Sequence, residues 1–370
     1  MEVGTGTALT VLGLLLLCFG GYALVSGGVA IAKKFRVSSL LIGLTVVAYG
    51  TSTPELAVSV AGALVGETDL ILGNVIGSNI ANIGMVIGIS AIIAPLIITK
   101  GRLVMDTNTI KIWIPIMLGI SALLVIVTII EKNNISREVG YLFIVILIGL
   151  SFFTFYRAKK QRREKDVLIG KEPKIDVIKK EEEVGALPKH NLQEWKEHGE
   201  KIGYYETVER KVDKLPPIVL VIIGAVALCG GGMFTINGSI GIAEGLGIST
   251  TVIGIVIVAI GTSLPELVTS IIALKKGQAN IGIGNIIGSN IYNILLILGV
   301  SSIIAGNLST ASLFGPNQLQ DLVPNDFGLM VVFSAVILIA YKKGIIPWWG
   351  GLALAVFYTI YLIRTSFGLA

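Results

Sequence analysis

The chain has 370 residues, a mean hydropathy of +0.83, 53% apolar residues and only 14% charged ones. That is too apolar for a water-soluble domain of this length, and it excludes soluble enzymes and binding modules. The net charge of +5 follows the membrane-topology bias described below and is not a nucleic-acid footprint.

Crossing about 30 Å of hydrocarbon takes about 20 mostly apolar residues. Hydropathy predicts ten such spans, at roughly 8–32, 38–64, 70–97, 109–130, 139–157, 215–236, 249–274, 280–305, 327–342 and 345–363. Backbone polar groups cannot go unpaired in lipid, so the spans are predicted helices. Glu2 precedes the first span and no basic residue does, so the start does not read as a cleaved signal peptide. Lys33, Lys34 and Arg36 follow that span, which predicts an outer N-terminus and a cytoplasmic first loop. The other predicted inner loops carry Lys100, Arg102, Lys275, Lys276, Lys342 and Lys343, whereas the outer segments carry only Lys132, Arg137 and Arg364. Ten spans place both termini outside. Cys18 and Cys229 fall within spans, where small packing residues are expected and a disulfide is not.

One hydrophilic segment, 158–214, separates two halves, 1–157 and 215–370. Residues 157–214 hold sixteen Lys/Arg, thirteen Asp/Glu, both histidines and the run Glu181-Glu182-Glu183. The topology makes this segment a cytoplasmic linker, long enough for one or two helices. Its basic opening, 157–165, reads as positive-inside charge that could rest on anionic lipid headgroups. His190 and His198 have no metal-ligand spacing, and the acidic run reads as solvated charge.

Sliding the chain by 211 residues superposes 18–88 on 229–299 without a gap, with 29 of 71 positions identical. Gly50-Thr-Ser-Thr-Pro-Glu55 matches Gly261-Thr-Ser-Leu-Pro-Glu266. Gly73-Asn-Val-Ile-Gly-Ser-Asn-Ile-Ala-Asn82 matches Gly284-Asn-Ile-Ile-Gly-Ser-Asn-Ile-Tyr-Asn293. Shared apolar bias does not align two Pro-Glu pairs and two Gly-Ser-Asn triplets in register. Five spans per half is an odd number, so the second half enters the membrane from the opposite face. The expected fold is an all-α polytopic membrane protein of ten transmembrane helices in two inverted-topology five-helix repeats. In such repeats the substrate site lies near the midplane, where helices are discontinuous.

Glu55 and Glu266 are the only acidic residues deep within the spans. Each costs about 2.5–3.5 kcal/mol at mid-helix on insertion scales. A buried basic partner, two neutral carboxyls suited to proton exchange, or a metal ion between them would each offset that cost. The spans offer no deep Lys or Arg, since Lys111 lies near the start of its helix. The neighbours favour the metal. Pro54 and Pro265 have no N–H, so the carbonyls of Gly50 and Gly261 lose their helical partners. The hydroxyls of Thr51, Ser52, Thr262 and Ser263 join those broken turns. Ser78, Asn82, Ser289 and Asn293 come from the next spans, 78 and 82 sharing a helical face. Such an all-oxygen set suits Ca2+ better than Mg2+, Zn2+ or Cu2+. Gly73, Gly77, Gly84, Gly88, Gly284 and Gly288 read mostly as close-packing positions, and Ser38 and Ser249 as helix N-caps. No catalytic residues and no cofactor are expected.

These twin blocks resemble the paired alpha repeats of the sodium/calcium exchangers, here about 45–88 and 256–299, within the cation/Ca2+ antiporter superfamily. The resemblance is to its compact prokaryotic type. It covers both repeats closely, the ten-span plan more loosely and the hydrophilic segment hardly at all. It implies a Ca2+ site from the carboxylates of Glu55 and Glu266 and the carbonyls of Thr51 and Thr262. It implies Na+ sites from Ala48, Thr51, Ser52, Glu55 and Ser78, with Ala259, Thr262, Ser263, Glu266 and Ser289, and places Asn82 and Asn293 along the middle. Proton-coupled relatives usually read Gly-Asn-Ala-x-Glu in the first block, from which Thr-Ser-x-Pro-Glu departs. Potassium-dependent members carry Asp where Asn293 stands, so the resemblance implies exchange independent of K+. The expected function is Na+/Ca2+ antiport by alternating access in a functional monomer, about three Na+ per Ca2+. The rival is a Ca2+/H+ antiporter of the same fold.

Overall fold

A computed structural model describes residues 3–97, 103–106, 108–171, 215–245, 259–310, 326–341 and 344–367. They are nearly all helical, in the order α1 (Val3–Phe35), α2 (Ser39–Thr51), α3 (Thr53–Val65), α4 (Thr68–Ile97), α5 (Thr109–Ile130) and α6 (Arg137–Lys171). Then come α7 (Pro217–Gly245), α8 (Ala259–Thr262), α9 (Leu264–Lys275), α10 (Ala279–Ala305), α11 (Asp326–Tyr341) and α12 (Trp348–Phe367). Among the described residues six helices, α1, α4, α5, α6, α7 and α10, are long and apolar enough to cross a membrane, or seven if the bent pair α2–α3 is one span. The expected seventh span, 249–274, begins outside the described residues, and α12 contributes a shorter apolar stretch, Trp348–Arg364. The chain is therefore a multi-pass, all-helical membrane protein.

Local chemistry sets the helix ends. Ser38 caps α2, its hydroxyl accepting from the Leu41 N–H at 3.4 Å; Ser249 lies outside the described residues. Gly66, at φ +78, closes α3 in a left-handed conformation that a side chain would strain. Between α2 and α3 the chain bends by 47° at Ser52 (φ −83, ψ 7), two residues before Pro54. Ser263 (φ −90, ψ 1) makes the same break between α8 and α9, two residues before Pro265. A ring without an N–H interrupts the ladder at equivalent places in both copies. π-helical turns occupy Gly43–Val47, Asn82–Ile87, Thr109–Trp113 and Asn293–Leu298. Two of them open at Asn82 and Asn293, 211 residues apart, and such turns concentrate at functional sites. Helix α6 continues past position 157 to Lys171, so the basic run 157–165 is helical. The acidic run at 181–183, His190 and His198 lie outside the described residues.

Packing joins equivalent helices in opposite directions. Gly6, Gly13 and Gly20 of α1 lie against Gly238, Gly231 and Gly224 of α7, one glycine every seven residues along each helix. A Cβ on Gly20 would stand 2.8 Å from the Leu228 N and 2.9 Å from the Gly224 carbonyl, so only glycine lets the backbones approach this closely. Cys18 of α1 is exposed and Cys229 of α7 half-buried, both free. Cys18 thus faces outward instead of packing inward. The most buried spans are α4 and α10. Gly284 and Gly288 of α10 meet the Leu40 and Leu44 carbonyls of α2, where a Cβ would sit 2.6 and 2.7 Å away. Gly84 and Gly88 of α4 pack similarly against Tyr358 and Gly351 of α12. Gly73 and Gly77 meet no described atom within 4 Å, so the packing role expected of them is absent among the described residues.

Two short antiparallel pairs tie the loops. Strand β1 (Leu103–Val104), after α4, pairs with β4 (Ile345–Ile346), before α12. Strand β3 (Asn307–Ser309), after α10, pairs with β2 (Asn134–Ser136), before α6.

Candidate cation site

The helix breaks bring the two glutamates to one place. Glu55 sits in the first turn of α3 and Glu266 in the first turn of α9. The two carboxyl groups interact electrostatically, and each residue is only 1% exposed. Among the described residues, no Lys or Arg side chain meets either carboxylate. The Oε2 atoms of both glutamates are buried without a hydrogen-bond partner among the described residues. Helix N-termini favour the anionic side chains, but a macrodipole worth about 0.3–1 kcal/mol does not offset two buried carboxylates.

Hydroxyls from both halves approach Glu266. Ser52 donates to Ser289 Oγ at 2.9 Å, and Ser289 Oγ lies 3.4 Å from Glu266 Oε1. Thr51 Oγ1 donates to Asn285 Oδ1 at 2.9 Å and stands 3.4 Å from Ser289 Oγ. Ala48, a turn before, is fully buried, its Cβ against Gly288. The equivalents in the other half differ. Ser263 and Ser78 are buried, yet neither hydroxyl has a partner among the described residues. Thr262 is buried nearby, and Ala259 opens the short helix α8. Asn82 and Asn293 are each 1% exposed, each with its Oδ1 unpartnered among the described residues. Glu55, Glu266, Ser78, Ser263, Asn82 and Asn293 thus all present a buried oxygen that no group among the described residues satisfies. Leaving one such group unmade costs about 1–3 kcal/mol and more for a charge, and oxygen groups of this kind are ones a hard cation could satisfy. Among the described residues, no group of three or more His, Cys, Asp and Glu stands together. The candidate set is two buried carboxylates and buried neutral oxygens.

Sequence reasoning passed over four residues of this region. Asn74 donates to the Glu55 carbonyl at 3.0 Å and to Ser59 Oγ at 2.9 Å. Asn285, its repeat equivalent, instead accepts from Thr51 across the halves. Asn79 and Asn290 bond to each other's helices and to Asn293 and Asn82. The available signal was their identity in both copies of the repeated block, which hydropathy alone does not rank above the glycines beside them.

Comparisons with known proteins bear on the family of the chain. A family model described as sodium/calcium exchanger protein matches residues 5–156 and 216–367. The chain is 34% identical to the sodium/calcium exchanger MaX1 of Methanosarcina acetivorans, over 95% of this chain and 96% of that one. It is 31% identical to the putative antiporter CaxA of Alkalimonas amylolytica, over 91% and 90% of the two chains. Among solved structures, the sodium-calcium exchanger NCX_Mj superposes with a TM-score of 0.72 at 27% identity, covering 98% of this chain and 99% of that one. A matched pair of buried glutamates, two matched helix breaks and a family model spanning both halves place this membrane chain in the sodium/calcium exchanger family, among its compact prokaryotic members.

Proposed function

We propose that the chain exchanges Na+ for Ca2+ by alternating access, electrogenically, with about three Na+ per Ca2+ and without K+. One observation carries the reading: among the described residues Glu55 and Glu266 are both buried, each with an unpartnered oxygen and no basic partner. Ca2+ and Na+ are alternative loads for the same two charges, so they compete, and competition makes an exchanger. In this reading Glu55, Glu266 and the carbonyls of Thr51 and Thr262 hold Ca2+. Na+ draws on Ala48, Thr51, Ser52 and Ser78, and on Ala259, Thr262, Ser263 and Ser289. Asn293, neutral where potassium-dependent relatives are acidic, keeps the central charge at two.

Ten spans in two inverted repeats are supported by equivalent helices α1 and α7 running antiparallel along a glycine seam, and by the matched pairing of β1 with β4 and β3 with β2. Both termini lie outside and 158–214 lies in the cytoplasm, following the Lys/Arg bias. A single chain holds both halves and acts as a monomer. Alternation is supported by the asymmetry of the site. Ser52 and Ser289 are joined across the halves, while their equivalents Ser263 and Ser78 are not. Rocking α1 and α7 against the core of α2–α4 and α8–α10 exchanges which pair is closed. Each tenfold Na+ gradient is worth about 1.4 kcal/mol per ion, and one net charge moving through 100 mV about 2.3 kcal/mol. Three Na+ therefore supply about 6.5 kcal/mol, enough for a Ca2+ ratio of order 10^4–10^5, against about 10^2 for two.

The test is calcium-isotope uptake into Na+-loaded proteoliposomes. Uptake is expected to stop when internal Na+ is replaced by an inert organic cation and to quicken when the interior is made positive. Restoration of uptake by a pH gradient instead would transfer the assignment to Ca2+/H+ exchange. Anionic lipid enters the same assay. Lys159, within the basic helical run, borders a largely apolar cavity of about 530 Å3 lined by Trp113, Phe155, Tyr49 and Tyr292. Anionic vesicles are expected to raise the rate over neutral ones, and Lys159→Ala with Lys160→Ala to reduce that difference at least about twofold.

A further inference from the structure

Asn79 and Asn290 have no place in the ion-binding set above, yet both are 1% exposed at the contact of α4 with α10. Asn79 Nδ2 points to the Asn290 carbonyl oxygen at 3.3 Å and to Met330 Sδ at 3.6 Å. A backbone carbonyl only accepts, so the amide nitrogen of Asn79 must face it. Its Oδ1 is thereby turned the other way, where it receives Asn293 Nδ2 at 2.9 Å. That bond in turn engages the nitrogen of Asn293 and leaves its Oδ1 buried and, among the described residues, unpartnered. The other half repeats the chain. Asn290 Nδ2 points to the Asn79 carbonyl at 3.4 Å and to Met117 Sδ at 3.7 Å. Asn290 Oδ1 accepts from Asn82 Nδ2 at 2.9 Å, and Asn82 Oδ1 is left unpartnered among the described residues.

We infer that Asn79 and Asn290 are positioning residues that set the amide orientation of Asn293 and Asn82, so that oxygen and not NH2 faces the transported cations. A side-chain amide has nearly the same shape in its two flipped orientations, so packing alone does not choose between them. Here two backbone carbonyls choose, each through one intervening amide. With the intervening amide removed, Asn293 and Asn82 can turn an NH2 dipole toward a divalent ion.

The inference rests on the cation-site reading, and the experiment separates the two. Ca2+ binding to purified full-length protein is measured by titration calorimetry, and calcium uptake in Na+-loaded proteoliposomes, for Asn79→Ala, Asn293→Asp and the double variant. Asn79→Ala is expected to weaken Ca2+ binding at least about tenfold. Asp has oxygen on both sides and no N–H to give Asn79 Oδ1, so in the Asn293→Asp background the same Asn79→Ala change is expected not to weaken Ca2+ binding by more than about twofold. Equal weakening in both backgrounds would mean that Asn79 merely holds the helices together, and an unchanged Kd for Asn79→Ala alone would also overturn the inference. If Asn293→Asp itself abolishes binding, the mirror cycle of Asn290→Ala with Asn82→Asp is read in the same way. A parent protein that neither binds Ca2+ nor takes it up against Na+ refutes the site reading itself.

Discussion

Glu55→Gln and Glu266→Gln are each expected to abolish Na+-dependent Ca2+ uptake while leaving the protein folded. Removing one member of a buried charge interaction costs about 2–5 kcal/mol, a factor of about 30 to several thousand in Ca2+ affinity. Gln keeps the size and one oxygen, so the loss reports charge, not shape. The thermal behaviour tells the same story with a change of sign. Without Ca2+, the amide relieves the mid-membrane cost of a carboxylate, about 2.5–3.5 kcal/mol, and the variants are expected to melt no lower than the parent. With Ca2+ at a hundred times its Kd, the parent gains about 2.7 kcal/mol and its Tm rises, while that of each variant stays put. Uptake by Glu55→Gln at the parental rate would remove the central site.

The second large effect is expected at a contact and not at a ligand. A Cβ on Gly284 would lie 2.6 Å from the Leu40 carbonyl and 3.0 Å from the Leu44 N, and one on Gly43 would collide with the Ile281 carbonyl. These neighbours are backbone and cannot swing aside, so Gly284→Ala must push α10 away from α2. Overpacking of this kind costs about 1–3 kcal/mol. It also pulls Ser289, just over one helical turn beyond Gly284, from Thr51 and Ser52. Gly284→Ala and Gly43→Ala are therefore expected to lower the Tm by several degrees and to lose most transport. Gly119 of α5 is the control, since nothing lies within 4 Å of its added Cβ. There Ala brings only its helix propensity, worth about 1 kcal/mol, and the Tm is expected to hold or rise. Equal Tm shifts at positions 119 and 284 would refute the close-contact argument.

Much of this was legible along the chain because it depends on local quantities. Hydropathy reports whether a helix can lie in lipid, which is why α1, α4, α5, α6, α7 and α10 coincide with expected spans. Proline has no N–H wherever it stands, so Pro54 and Pro265 announced the breaks at Ser52 and Ser263. Acidic residues at lipid depth are costly in any fold, so Glu55 and Glu266 stood out from composition alone. Register between the two copies singled out Ser78, Ser289, Asn82 and Asn293.

Partner choice was not legible, because a helical pattern states which face is buried and not what lies across it. The extension of α6 beyond position 157 is one case, since leaving the apolar stretch need not end a helix. The outward-facing Cys18 is another, set by which side of α1 the glycine seam occupies. The asparagines are the clearest. Asn79 and Asn293 are separated by 214 residues, as are no two groups that sequence periodicity can relate, and they meet only because α4 and α10 dock. By itself the sequence determined a duplicated, lipid-embedded helical chain with two acids at depth, since hydropathy, missing N–H groups and repeated blocks are properties of the residues themselves. Only the tertiary structure decided which hydroxyls and amides close on those acids and which oxygens are left over, because hydrogen bonds across helices depend on ångström distances that docking alone sets.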